Sequence, residues 1–322
     1  LQAAALDSST VAKGTDYKAL VCIFLDGGND NVNTIIPRDA ATHAQYTTAR
    51  PNLALPIGDL VAGTHLTPNT AQSGGRQYAL NPAAPELRGL FESGRAAIVA
   101  NVGPLIEPVT RSDYQSGSVL VPPQLFSHSD QQVFWQTSRP DSTEKIGWGG
   151  RLADLLQSQN TNDQLSMNLS LAGNNVFLSG TTVQPYSIDQ NGATQRSGYY
   201  GGSNTARRNA IDALLGLSHG HVLERAVSGI QRRSIDLYEL VDGAIGAVPA
   251  FTTPIPTLAA GYEGGQENYN RLVGRLRMVA RLIAARGALG QRRQVFFVPM
   301  DNYDFHDRLL SDQANNLHGL SK

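Results

Sequence analysis

The chain of 322 residues contains a single cysteine, Cys22, which excludes an internal disulfide and any metal cluster built on several thiolates. Charge is also scarce. Charged residues make up 16%, against about 25% in an average chain. The 26 basic and 27 acidic residues leave a net charge of −1, and no run of Lys and Arg exceeds two. Without a basic stripe, nucleic acid is excluded as the expected partner. Unbroken apolar runs stop at about seven residues, far below the roughly 20 that span a bilayer as a helix. Glycine-rich dinucleotide fingerprints, Walker loops and HExxH helices are missing, which lowers the dinucleotide, NTPase and zincin readings.

What is present is the grammar of an α/β protein. The apolar content of 41% is enough for a sizeable core. Ala19 to Leu25 is an unbroken apolar run of strand length, as expected of a strand covered on both faces. Ala96 to Val102 predicts a second such strand, and Val295 to Val298 a third. Helices are predicted over 39–50, 85–94, 129–137, 148–156 and 267–286, with a long helical stretch over 205–248 broken near His219-Gly220. Residues 51–80 and 190–204 read as loops rich in Gly, Pro and polar residues. Leu165, Met167, Leu169 and Leu171 alternate with polar residues. That period of two predicts an antiparallel, half-exposed excursion over 165–190, outside the main sheet. Residues 1–17 read as a flexible lead-in whose low charge suits an exported protein, and 18–322 as a single domain.

Three polar clusters follow these predicted strands, where open α/β sheets gather their ligands. Asp26, Asn29 and Asp30 lie in a glycine turn. They could supply hard oxygen ligands to Mg²⁺ or Ca²⁺, or simply cap the next element. Ser127-His128-Ser129-Asp130 opens a predicted helix. A hydroxyl there is either an ordinary N-cap or a nucleophile at an anion-favouring helix terminus, with His128 as base or ligand. Asp301, Asp304, His306 and Asp307 crowd three carboxylates and an imidazole into seven residues. Their repulsion calls for a cation or an arginine, and the Asp/His mixture suits Zn²⁺ or Mn²⁺; the alternative is a capped helix start.

The string from Leu20 to Thr34, with Asp26-Gly27-Gly28-Asn29-Asp30 at its centre, resembles the opening of the bacterial "domain of unknown function 1501" proteins. The order of the later segments agrees: Gly94 to Gly103, Phe126 to Gln132, Gly147 to Asp154, and the strand from Val295 to Met300 followed by Asp304 and His306. The resemblance implies an alkaline phosphatase-like three-layer α/β/α sandwich with a mostly parallel central sheet. It implies a periplasmic or secreted protein exported by a twin-arginine signal. It implies a divalent metal (Zn, Mn, Mg or Ca) on Asp26, Asp304 and His306. Ser127 or Ser129 would be the nucleophile and His128 its catalytic neighbour, with Asn29 and Arg111 on the substrate. The function implied is hydrolysis of a small-molecule or polymeric phosphate or sulfate ester. The alternative is an inactive exported protein that keeps the fold and binds a protein partner. The family continues to an acidic-Phe-Gly-Arg-Thr segment and a later Asp-His pair, so the C-terminal part of the fold is expected beyond residue 322.

Overall fold

The computed structural model describes residues 16–218 and 220–322; residues 1–15, most of the expected lead-in, and His219 lie outside the described residues. Strands and helices follow in the order β1 (Lys18–Leu25), β2 (Ile35–Pro37), α1 (Ala40–Ala49), β3 (His65–Leu66), β4 (Tyr78–Leu80), α2 (Pro85–Glu92), α3 (Arg111–Ser116), α4 (His128–Thr137), α5 (Trp148–Leu156), β5 (Asn168–Ser170), β6 (Tyr186–Ser187), α6 (Thr205–Leu215), α7 (Val222–Gly246), α8 (Gln266–Ala284), β7 (Arg293–Met300) and α9 (Leu309–Ser321). The chain is therefore mixed α/β. It forms two compact units: up to Cys22 with Pro104–Thr252 and Gly274–Val298, and Ile23–Gly103 with Thr253–Val273 and Pro299–Lys322. The chain changes unit after residues 22, 103, 252, 273 and 298.

The main sheet has four strands in the order β1-β7-β5-β6. Leu169 stands opposite Phe296 on one side and Tyr186 on the other, both in parallel register. Bonds from Lys18 N to Arg292 O (3.0 Å) and from Asp26 N to Met300 O (2.9 Å) advance together along β1 and β7, so this pair is parallel too. The apolar runs of β1 and β7 thus form parallel strands, but the expectation that β1 is covered on both faces is corrected. β7 is buried over seven of its eight residues, whereas β1, at the sheet edge, is largely exposed.

The antiparallel excursion expected over 165–190 is corrected: β5 is a central parallel strand, buried throughout. The alternating polar residues do not face water, because partners inside the fold satisfy them. Asn168 Nδ2 donates to Leu178 O (2.7 Å), and Ser170 Oγ receives Asn175 Nδ2 (2.8 Å). A period of two marks a half-exposed strand only when its polar face has no such partners. Ala96 to Val102 is also corrected. It forms no strand, and Val99 is 78% exposed. Three of its seven residues are alanines with little area to bury, and Asn101 sits at φ 57°, a left-handed turn that a strand does not accommodate.

In the first unit the string from Gly147 to Asp154 does structural work. Gly150 N donates to Phe177 O and Gly147 N to Ser179 O, each at 2.9 Å. A Cβ on Gly150 would lie 2.0 Å from Ser179 O, so only glycine lets α5 approach this closely. Asp154 accepts the backbone N–H groups of Thr181, Thr182 and Val183 and closes the same loop. Trp148 packs edge-on against Phe177 at 4.5 Å, with Trp135 6.2 Å from both rings.

In the second unit, β2, β4 and β3 form a small antiparallel sheet in which Ala79 faces both Ile36 and His65. Part of it comes from residues 51–80, which read as loop from sequence. Ile36, Tyr46, Leu60 and Ala79 make its core. Tyr46 keeps its hydroxyl satisfied there by donating to Asn33 Oδ1 (2.6 Å) and accepting from Leu55 N (2.7 Å).

Candidate functional site

The turn after β1 and the turn after β7 are locked together in the second unit. Tyr303 N donates to Asp26 O at 3.0 Å, continuing the ladder past the strand ends. Gly27 sits at φ 128°, and a Cβ there would lie 2.5 Å from Asp304 N and 2.9 Å from the Tyr303 carbonyl carbon. The glycine is needed twice over, for its dihedral and for the close approach. Tyr303 anchors the second turn. Its ring is wholly buried, its hydroxyl meets Met300 sulfur at 3.5 Å, and burial pushes the phenol well above its ordinary range.

Asp304 and His306 meet at the surface of this turn, with Oδ2 3.0 Å from Nε2. Their side chains are 46% and 79% exposed, so the contact itself adds little stability. His306 also lines an open cleft of about 550 Å³, shared with Asn52, Leu53, Phe305, Asp307 and Arg308.

Around the first turn the sequence candidates divide. Asp30 is not available to a metal: both its oxygens receive Arg50, and its side chain is only 8% exposed. Asn29 instead belongs to a network of neutral groups. Its amide donates to Thr34 Oγ1 (3.2 Å), and its carbonyl oxygen accepts from Gln313 Nε2 (3.3 Å). Gln313 of α9 also donates to Asp30 O (2.6 Å) and Thr34 Oγ1 (3.1 Å), pinning the loop after β1. A second amide chain holds the other turn: Asn302 Nδ2 to Asn268 Oδ1 (3.0 Å), Asn268 Nδ2 to Asn316 Oδ1 (2.9 Å), and Asn316 Nδ2 to Asn302 O (2.8 Å). Sequence reasoning missed Gln313, Asn316, Asn268 and Asn302. The available signal was the pair of amides at 313 and 316, one helical turn apart on α9.

Ser127, His128, Ser129 and Arg111 belong to the first unit. Ser127 is the N-cap of α4, its Oγ accepting from Asp130 N at 3.4 Å and lying 3.2 Å from Ser129 Oγ. Arg111 opens α3 behind a capping box made by Thr110 and Asp113. Burial pushes the Cys22 thiol up to about 11, which leaves it a poor nucleophile at neutral pH.

Asp304 and His306 are donors of the kind that Zn²⁺ or Mn²⁺ takes. Among the described residues, however, no group of three or more His, Cys, Asp or Glu side chains is placed to hold a metal ion. The structure thus brings the Asp304 and His306 side chains together on a turn whose backbone lies against Asp26 and Gly27. No family model matches the chain, and neither a curated protein nor a solved structure matches it.

Proposed function

We propose that this protein is an exported, periplasmic or secreted hydrolase of phosphate or sulfate esters, built on an alkaline phosphatase-like three-layer sandwich and dependent on a divalent metal. One observation carries the reading: the Asp26-Gly27 turn lies against the turn bearing Asp304 and His306, at the carboxyl ends of two adjacent parallel strands. That is where α/β enzymes collect their ligands. In this reading Asp304 and His306 are the first metal donors and Asp26 joins them. Ser127 or Ser129 is the candidate nucleophile of the first unit, at a helix start that favours an anion, with His128 beside it and Arg111 as a substrate contact; Asn29 is the candidate substrate contact of the second unit. Two donors do not make a site, so no chemical step is assigned to the metal.

The deciding measurement is turnover of p-nitrophenyl phosphate and p-nitrophenyl sulfate with Zn²⁺, Mn²⁺, Mg²⁺ or Ca²⁺ added in turn. Turnover that His306→Ala removes together with metal uptake supports the proposal. No turnover with any of the four ions sinks it.

A second reading is a protein that keeps the fold and serves in binding or assembly. The lack of a three-donor group among the described residues favours it. Elemental analysis separates the two: a stoichiometric divalent metal (Zn, Mn, Mg or Ca) belongs to the hydrolase, and the absence of all four to the binding protein.

A further inference from the structure

The open cleft of about 550 Å³ at His306 belongs wholly to the second unit, where residues 52–53 and the stretch from Phe305 to Ser311 line it. Its volume falls inside the roughly 300–1,000 Å³ of small-molecule sites. The surface is mostly apolar, with Leu53, Phe305, Leu309 and Leu310 contributing to it. Leu53 and Leu310 are 38% and 39% exposed, so two large aliphatic side chains stand open to solvent there. Phe305 packs edge-on against the buried Tyr303, with ring centroids 5.7 Å apart, which holds its ring in place.

The polar groups of the cleft narrow its ligand. Asp307 and Arg308 bring one charge of each sign, so apart from His306 the lining has no net charge. Arg308 is also paired with Asp312 at 3.4 Å. A nucleotide or polyphosphate would need an excess of cations to hold its additional negative charges, and the cleft does not supply one. A sugar would need partners for its hydroxyls, because each polar group buried unpaired costs affinity. The neutral polar side chains of the lining are Asn52 and Ser311, and Ser311 already donates to Arg308 O at 3.0 Å. What remains is an apolar recess with an imidazole at its wall, and that imidazole lies 3.0 Å from the Asp304 carboxylate. Such a recess suits a ligand with one polar, reacting end and one apolar end.

We propose that this cleft receives the organic group of the ester, and that this group is an apolar alcohol about the size of one aromatic ring, not a sugar, a nucleotide or a polymer chain. The assignment rests on the hydrolase function proposed above. Its test compares phenethyl with glycerol monoesters, as phosphates and as sulfates, with the four divalent ions added in turn. Both leaving groups are alkoxides, so a difference reports binding rather than intrinsic reactivity. kcat/KM for the phenethyl ester is expected to be at least about tenfold higher. Leu310→Asp, and independently Leu53→Asp from a separate stretch of chain, should remove that preference. Both positions are more than one-third exposed, and the thermal midpoint of each variant checks that it folds. Calorimetric titration with benzylphosphonate and methylphosphonate, whose P–C bonds resist hydrolysis, reads the cleft without turnover. Benzylphosphonate is expected to bind at least about tenfold tighter in the wild type and no tighter in either variant. Turnover without a preference for the phenethyl ester, or a preference that survives in both folded variants, overturns the assignment and leaves the hydrolase function standing. No turnover of any ester with any ion removes the hydrolase function instead. The titration then decides the cleft alone: tighter benzylphosphonate binding that the variants lose supports it as the site of the apolar group, and equal or absent binding overturns it.

Discussion

Gly27 and Asp304 touch through their backbones: a methyl group on Gly27 would sit 2.5 Å from the Asp304 nitrogen. The neighbour is main chain, held in turn by the bond from Tyr303 N to Asp26 O, so it cannot swing aside. Gly27→Ala combines this clash with a φ of 128° that an L side chain rarely adopts. It is expected to destabilise the protein by about 1–3 kcal/mol. Thermal or urea unfolding measures the loss, and an unchanged midpoint would show that the two turns are not in contact.

The ion pair of Arg50 and Asp30 is the mostly buried one of the β1 loop, with side chains 23% and 8% exposed. Removing only the cation strands a carboxylate away from water. Arg50→Ala is expected to cost about 3 kcal/mol. Asp30→Asn in the Arg50→Ala background should recover part of that cost, because the stranded charge is then gone. Urea unfolding of the four proteins of this cycle gives the coupling directly.

Asp39 caps α1 and carries an acid-sensitive contribution to stability. The Thr42 hydroxyl first, then the backbone N–H groups of Thr42 and Gln77, hold its carboxyl down at about 2. A carboxyl lowered in the folded state adds stability above its ordinary value of about 3.9, and loses it as the pH falls through the folded value. The thermal midpoint of the wild type should therefore drop more steeply between about pH 5 and pH 2 than that of Asp39→Asn. Parallel slopes for the two proteins would contradict this assignment.

Gly150→Ala tests the structural role of the segment from Gly147 to Asp154. The new methyl group would lie 2.0 Å from Ser179 O, a backbone atom. A loss of about 2 kcal/mol or more is expected. Both tryptophans of the chain, Trp135 and Trp148, lie in the adjoining aromatic cluster. Tryptophan emission, excited selectively at wavelengths that tyrosine does not absorb, therefore reports this region, and it should shift in the variant even in the absence of denaturant.

The features legible in the sequence are those that depend on a strong local pattern. The unbroken apolar runs of β1 and β7, the amphipathic helices α2 and α5, and the acidic turns after both long strands could be read from composition and spacing. β5 was misread because its polar alternation is the same whether Asn168 and Ser170 meet water or a buried carbonyl; only tertiary contacts decide. Residues 96–102 were misread because an apolar run does not reveal a left-handed Asn101 inside it. Ser127 is the N-cap of α4, a role that its position before a helix shares with that of a nucleophile, so the sequence pattern alone does not separate the two. Of the two amide networks only the pair at 313 and 316 on α9 carries a sequence signal; their partners Asn29, Asn268 and Asn302 come from separate stretches of chain, and neutral amides recognise each other only through geometry.

Among the described residues β1 pairs only with β7 in the main sheet, about 275 residues further along. A ribosome adding roughly 5–20 residues per second therefore makes the apolar strand Lys18–Leu25 some tens of seconds before its partner exists. For that interval the nascent chain carries an unmatched, aggregation-prone strand near its start. Slow synthesis should then lower the soluble yield, and a chaperone that holds extended apolar segments should raise it.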